Sequence, residues 1–535
     1  MILGEIFERN AVLFGDKTAI YFNSREVTHA TLLAQAYQLG NALLSLGLRR
    51  QDRVAILAQN CVETLELIAA AGLTGLTCVG LNYRLSAREQ VHILQDSAPS
   101  VWLFEAQYAE RVQDICASLT TLPILICIGT PTPALTHVYH DYGQLVSQAA
   151  TTRPALSAGE QDIIFLVYTS GTTGQPKGVM HSHRGQLEQT KNCSNIFAAS
   201  PQDCALLVMP FYHLGALSIY LSYAWAGGAV AVHRAFDASQ VLLALSQQPI
   251  TAALLAPIMI QTLLDAPSEQ LNQPNRLHTV IYSSAPMPVP LLKRAIQQFG
   301  PIFMQVYGMT ESMLGTCLYK HQHTLAGQPH ETKRLASAGQ PYFGCQIVLR
   351  KDDGSICNTN EVGEITILSD ATMQGYWNNS VATHQTIRDG WCYTGDLGYL
   401  VDGQIVVTGR HKDMLIINGR NIWPQDIEAI ATRQPELRSV DASAVSVPGP
   451  EQEEIAVLIV QCNITDADEQ HLLTQRLHRE IHEELGINCT IELVPRHTLP
   501  RTSSGKLSRS GARKDYLLRR KSQSEADLEL TSKKA

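Results

Sequence analysis

The run Tyr168-Thr-Ser-Gly-Thr-Thr-Gly-Gln-Pro-Lys-Gly178 carries the parts of a phosphate cradle. Gly171, Gly174 and Gly178 let a backbone bend and come close to a ligand; Thr169, Ser170, Thr172 and Thr173 offer hydroxyl donors; Lys177 adds a point charge. A Walker loop needs Gly-Lys-Ser/Thr opening a helix, whereas Lys177 lies between Pro176 and Gly178, so this is a different cradle. A flexible Ser/Gly linker would not need a fixed Pro-Lys-Gly after a buried strand, and Asp162 to Val167 reads as such a strand.

Other residues able to do chemistry say less when taken singly. Glu311 reads equally as a helix-start carboxylate and Asp396 as a turn aspartate. Lys506 alone is a lysine in a basic tail: from Arg496 to Lys521 nine Lys/Arg face one acid, Asp515. A lone His213 is more often a satisfied core residue, and its Pro210-x-x-His-x-Gly215 frame is what favours a functional role.

The elements that must position these residues follow from the apolar pattern. Short aliphatic runs such as Arg53 to Leu57, Pro123 to Ile126 and Asp162 to Val167 alternate with helix-like periodicity, which predicts helices on both faces of mostly parallel sheets. Beyond Gly339 the texture turns β-rich: Gln346 to Leu349, Glu364 to Leu368, and Gly398 to Val401 joined to Gln404 to Thr408 through Asp402-Gly403, a tight-turn pair. After Gly409-Arg410 a further unit begins, with strands near Leu415 to Ile417, Val440 to Val447 and Ile455 to Val460, and helices near Trp423 to Arg433 and Glu469 to Glu484. The end, after Lys521, is polar enough to predict disorder.

Seven strings stand in order: Tyr168 to Gly178, Pro210-Phe-Tyr-His-Leu-Gly215, Ser284-Ala-Pro286, Gln305-Val-Tyr-Gly-Met-Thr-Glu311, Tyr393-Thr-Gly-Asp396, Gly409-Arg410-x-Lys412-Asp413 and Pro500-Arg-Thr-Ser-Ser-Gly-Lys506. With them the sequence resembles the acyl-adenylate-forming superfamily of AMP-dependent synthetases and ligases, and within it the acyl-CoA synthetases. The resemblance implies an α/β fold: a large N-terminal adenylation domain over 1–409, built of two stacked α/β subdomains and a β-barrel-like subdomain. A small, mobile α+β lid domain over 410–521 and a disordered tail over 522–535 complete it.

The implied chemistry has two halves. A carboxylate attacks the α-phosphorus of MgATP to give acyl-AMP and pyrophosphate, and the thiol of coenzyme A then attacks the activated carbonyl. By resemblance, Thr169 to Lys177 holds the β- and γ-phosphates, Glu311 is an oxygen ligand of Mg²⁺, and Thr310 donates to the α-phosphate. Tyr307 stacks on adenine with Ser284, Ala285 and Pro286 on its other face, and Gln305, Gly308 and Met309 complete the nucleotide pocket. Asp396 accepts from both ribose hydroxyls, and Arg410 reaches the ribose and phosphate region. Lys506 matches the catalytic lysine that bridges the substrate carboxylate and the α-phosphate oxygens. Lys412 marks the hinge about which the small domain turns, bringing Gly419 to a thiol channel. Tyr212, His213, Gly215, Ser283 and Gly308 line the acyl path, and His213 the thiol approach.

Composition bounds the partners. The 535 residues are 45% hydrophobic and 17% charged, which excludes a disordered or coiled-coil chain. A formal charge of −8 offers no general attraction to nucleic acid. Twelve scattered cysteines without a C-x-x-C pair predict buried small residues in a reducing compartment, and with no cationic leader at the start the expectation is a cytoplasmic protein. The stretch Cys204 to Val232 lacks any charge and is long enough for a membrane span, but Pro210, His213, Gly215 and Gly227-Gly228 divide it into strand, loop, helix and strand, so no transmembrane segment is expected.

The same uncharged stretch would leave the ammonium of an amino-acid substrate unpaired, which favours an apolar acid, with a medium or long fatty acid ahead of an aryl acid. Ser283-Ser284 stands where relatives carry Gly-Gly or Gly-Ala, so side chains there can narrow the acyl path. An enzyme loading an acyl carrier protein, and a non-catalytic nucleotide-binding relative, are the alternatives; a homodimer stays open.

Overall fold

The computed structural model describes residues 1–130, 135–170, 175–326, 328, 332–417, 420–437, 442–449, 453–501 and 507–532. Gly171 to Gly174, Gly419 and Lys506 lie outside the described residues, as do the side chains of Ser170 and Lys412.

Two large sheets dominate. One runs in the order Gly375–Tyr376, Pro176–Ser182, Ile163–Ser170, Thr77–Gly80, Arg53–Leu57, Val101–Glu105, Ile124–Ile128, Tyr139–Asp141. The other begins with Gln340–Pro341, Met313–Leu318 and Phe303–Met309, continues through Thr279–Tyr282, Ala252–Leu255, Cys204–Leu207 and Ala229–Val232, and ends with Thr18–Phe22 and Arg25–Thr28. Their inner strands are parallel and buried on both faces: Val54, Ala55, Ile56 and Leu57 are all core, as are the four residues of Ala252–Leu255. That burial is why these strands read as unbroken aliphatic runs. The uncharged stretch divides as its breakers demand, into Cys204–Leu207, the helix Leu214–Ala226 and Ala229–Val232. The helix is apolar all round because it lies in the interior, where Tyr220 and Tyr223 are buried. Among the described residues no helix is long and apolar enough to cross a membrane.

A third, antiparallel sheet holds Cys345–Arg350, Gly363–Ser369, Trp391–Val401, Ile387–Arg388 and Gln404–Arg410. Its last hairpin turns at Asp402 (φ 49°) and Gly403 (φ 73°), the two left-handed residues of a tight type I′ turn. Beyond it, two apolar clusters draw only on residues from Leu415 to Tyr516, packed around Ala442–Pro448, Glu454–Gln461, Cys489–Val494 and the helix Ala467–Leu485. Arg509 binds them to the segment after Arg410, since it donates to Glu428 (2.7 and 3.0 Å) and to Asp413 (3.3 Å). All twelve cysteines are unpaired, and eleven are buried.

The tail corrects the expectation of disorder over 522–535 as far as Ser532, because the final helix runs from Arg509 to Ser532. The helix is already anchored by Arg509 and Tyr516, and the added residues include Glu525, Ala526, Leu528, Glu529 and Leu530, types that extend a formed helix at little cost.

Four imidazoles sit inside this fold, and burial holds His29, His181, His183 and His323 down to about 4. The unfolded chain takes up these protons from about pH 6.5 downwards, while the folded chain resists until near pH 4. Their contribution to stability is therefore complete above the unfolded value and is lost as pH falls between the two. Glu66, raised to about 7 by burial, acts in the opposite sense, keeping a proton that the unfolded carboxyl releases above about 4.5. His233, also lowered by burial, acts with these imidazoles, and Asp426 and Glu428, raised by burial, act with Glu66; the four large imidazole shifts outweigh the carboxyls, so the thermal midpoint should drop by several °C from pH 7 to pH 5. A midpoint that rises on acidification would contradict this.

Candidate active site

In open α/β sheets ligands collect at the carboxyl ends of the strands. Ser283 to Pro286 follow the strand Thr279–Tyr282, and Gln305 to Glu311 close the neighbouring Phe303–Met309. Gly308 lies at a bulge, where an added Cβ would sit 2.0 Å from the carbonyl oxygen of Met313, so only glycine lets the two strands meet there. Ser284 holds φ at 75°, a left-handed value that a serine adopts at a cost. Ser284→Gly should therefore raise stability by about 0.5–1 kcal/mol, after the greater freedom of glycine in the unfolded chain is set against the relief. Urea denaturation measures it, and an unchanged or lower stability would argue against strain at this turn.

Asp396 brings the predicted nucleoside residues together. It is buried, its Oδ2 accepts from the Tyr307 phenol at 2.8 Å, and its Oδ1 accepts from Arg410 Nε at 2.8 Å. Burial, with the Asp396 carboxylate beside it, pushes the Tyr307 phenol well above its ordinary range, so it stays a neutral donor. Arg410 is opposite Asp396 in the antiparallel hairpin. Each carboxylate oxygen keeps a further lone pair, which leaves room for two more donors.

Glu311 is held by a residue that the sequence did not single out. Tyr376 donates to Glu311 Oε1 at 2.7 Å, and Lys177 Nζ lies 5.2 Å from the centre of the Tyr376 ring. Tyr376 thus places the expected metal ligand and the expected phosphate lysine on two sides of one aromatic group. Among the described residues no cluster of three or more His, Cys, Asp or Glu could hold a metal by itself. One carboxylate fits Mg²⁺, which typically takes one or two carboxylates together with substrate phosphates and water.

The flanks of the glycine-rich loop form an antiparallel hairpin, Tyr168 opposite Gly178 and Thr169 opposite Lys177. The helix Ala87–Ser97, started by a Ser86–Glu89 capping box, braces both flanks. His92 Nε2 meets the Pro176 carbonyl at 3.2 Å and must carry the hydrogen, since a carbonyl only accepts; Asp96 Oδ2 accepts from the Tyr168 phenol at 2.5 Å. The Asp96 carbonyl also accepts from Trp377 Nε1 at 3.0 Å, next to Tyr376.

Across the crevice, Tyr212 and His213 precede the helix Leu214–Ala226, their rings 4.6 Å apart, with Tyr212 edge-on to Tyr83. Gln305 accepts from Tyr282, whose oxygen is also 3.0 Å from His323 Nε2. Lys412 falls in the turn His411–Asp413 directly after the strand that carries Arg410.

A profile described as AMP-binding enzyme matches residues 7–377, and one described as AMP-binding enzyme C-terminal domain matches 419–511. The chain belongs to the AMP-binding enzyme family. A feruloyl-CoA synthase from an Amycolatopsis species is 32% identical over 523 residues, 96% of this chain and 99% of its own. A long-chain-fatty-acid–CoA ligase of Mycobacterium tuberculosis is 29% identical over 498 residues, 92% and 93% of the two chains. The solved o-succinylbenzoate CoA synthetase of Bacillus subtilis, in complex with its acyl-adenylate intermediate, superposes with a TM-score of 0.80 at 26% identity, covering 94% of this chain and 97% of its own.

Within an AMP-binding enzyme, Tyr376, Asp96 and His92 are additions to the residues expected from sequence. Their only local signal is the aromatic pair Tyr376-Trp377 in a polar stretch; the partners, Glu311 and Asp96, are far away along the chain.

Proposed function

We propose that this AMP-binding enzyme is an AMP-forming ligase that joins an apolar carboxylic acid to coenzyme A. The observation that carries the reading is the segment Gln305–Glu311, whose Tyr307 is tied to Asp396 at one end and whose Glu311 is tied at the other to Tyr376, over whose ring Lys177 lies. One strand end thereby presents groups suited to a nucleoside and groups suited to its phosphates.

In the first half-reaction a carboxylate oxygen of the acid attacks the α-phosphorus of ATP, the bond to the β-phosphate bridge breaks, and pyrophosphate leaves. Asp396 holds the ribose hydroxyls and Tyr307 the adenine face, while Thr169, Thr310 and Lys177 steady the phosphates. Glu311 would hold Mg²⁺, which when bound would supply charge neutralisation for the leaving pyrophosphate. Lys506 stabilises oxygens that gain charge in the transition state. In the second half-reaction the coenzyme A thiol loses its proton to solvent, its sulfur attacks the acyl carbon, and the bond from that carbon to the AMP oxygen breaks as AMP leaves. Two domains meeting near residue 410, with Lys412 as hinge, let Lys506 serve the first half and the Gly419 segment the second.

The acid is apolar because no charged side chain lies between Cys204 and Val232 to pair with a second charge. Medium- and long-chain fatty acids are one class, in keeping with the mycobacterial relative; aryl acids are the other, in keeping with the feruloyl-CoA synthase. Pyrophosphate release across a panel of both classes, with and without coenzyme A, tests the reading. Acid-dependent release with thioester formed only when coenzyme A is present supports it. Release with no thioester, or thioester only on an acyl carrier protein, replaces the acceptor, and no release with any acid rejects ligase activity.

A further inference from the structure

Asn60 is 1% exposed and lies just past the strand Arg53–Leu57, in the seam between the two large sheets. Its side chain makes three hydrogen bonds, all to backbone just past the strands Cys204–Leu207 and Ala229–Val232 of the opposite sheet. Nδ2 donates to the carbonyls of Met209 (2.9 Å) and His233 (3.0 Å), and Oδ1 accepts from Phe211 N (3.0 Å). The orientation of the amide is forced, because carbonyls only accept and the Phe211 N–H only donates. Met209 and Phe211 flank Pro210, which has no N–H of its own to offer.

Neighbouring groups stiffen the seam. Arg234 donates to Glu105 Oε1 (2.6 Å) and to Gln59 Oε1 (2.9 Å), and Gln59 N donates to Glu105 Oε2 (2.8 Å). On its other side the loop rests on Gly80, where an added Cβ would be 2.9 Å from Tyr212 Cα. The loop bearing Tyr212 and His213 is therefore clamped from beneath by one buried amide.

We propose that Asn60 is a positioning residue for the acid site: its three bonds set the height and angle at which Phe211, Tyr212 and His213 meet the acyl group. The inference rests on the reading that this loop lines the acid. Among the described residues the side-chain hydrogen bonds of Asn60 go to Met209, Phe211 and His233 and not to Asp396, Tyr307 or Glu311, so its loss should register with the acid and not with ATP.

The test compares Asn60→Ala and Asn60→Asp with the unmodified full chain, using the best acid of the panel, and includes His213→Ala to probe the loop directly. The expected result is an acid KM raised tenfold or more in both Asn60 variants, altered ranking among acids of different bulk, and an ATP KM within twofold of the parent. A lower kcat with both KM values unchanged indicates mere loss of folded enzyme and overturns the proposal, as does an ATP KM that moves with the acid KM. If His213→Ala shifts the acid KM and Asn60→Ala does not, the clamp is overturned while the acid site stands. If neither shifts it in an enzyme that makes thioester, the placement of the acid fails as well. Should Asn60→Ala not fold, Asn60→Asp carries the measurement, since it keeps the shape and the Phe211 contact while losing both donors.

Discussion

Lys506→Ala should abolish acid-dependent pyrophosphate exchange yet leave the conversion of supplied acyl-AMP and coenzyme A to thioester near its original rate, and Gly419→Leu should do the reverse. The charge of Lys506 is aimed at oxygens that become more negative as the carboxylate attacks phosphorus, and removing one such contact costs roughly 10²–10³ in rate. It has no comparable task when a thiolate attacks a carbonyl, since the phosphate is then a leaving group already bound elsewhere. The strands Leu415–Ile417 and Arg420–Ile422 pair antiparallel, and Gly419 falls between their ends in the sequence. If that segment shapes the passage for the pantetheine thiol, leucine obstructs the second half alone. Assaying both half-reactions in both variants decides the matter, and equal slowing of both halves in each would contradict alternation of the small domain.

Asp396→Ala should weaken ATP and acyl-AMP binding roughly ten- to a hundredfold, from the loss of charge-assisted hydrogen bonds worth roughly 1.5–3 kcal/mol. The change removes the acceptor for the ribose and also releases the Tyr307 phenol and leaves Arg410 without its partner. Tyr307→Phe separates these effects: it keeps the aromatic face but cuts the tether, and should cost less than Asp396→Ala. Calorimetric titration with ATP and a non-hydrolysable acyl-AMP analogue measures both, and unchanged affinities in Asp396→Ala would overturn the ribose assignment.

Local chemistry made much of the fold legible. Asp402-Gly403 announced its hairpin, and the breakers in Cys204 to Val232 divided an apparent membrane span into the observed strand, helix and strand. The facing of Asp396 and Arg410 was only half legible. Counting back from Asp402-Gly403 sets Asp396 against Gly409, and the register shift between Leu397 and Gly398 moves it on by one residue to Arg410. The neighbouring strand Gly363–Ser369 also shifts register against Trp391–Val401, between Glu364 and Thr366, and sequence spacing reports neither shift. Tyr376, Asp96 and Asn60 were illegible for a related reason, since each acts through a partner brought near only by sheet order. The tail erred in the other direction, because polar composition hid good helix formers that an anchored helix extends.

The central claim, that the acid is joined to AMP before it meets a thiol, is tested most directly by the fate of its oxygen. An acid that the panel shows to be a substrate, labelled with ¹⁸O in both carboxylate positions, is turned over with ATP and coenzyme A, and the nucleotide product is weighed by mass spectrometry. Attack of the carboxylate on the α-phosphorus leaves one labelled oxygen on that phosphorus, so AMP should carry a single ¹⁸O while pyrophosphate carries none. Unlabelled AMP, or ADP with label in inorganic phosphate, would contradict an acyl-adenylate and with it the roles given to Asp396, Glu311 and Lys506.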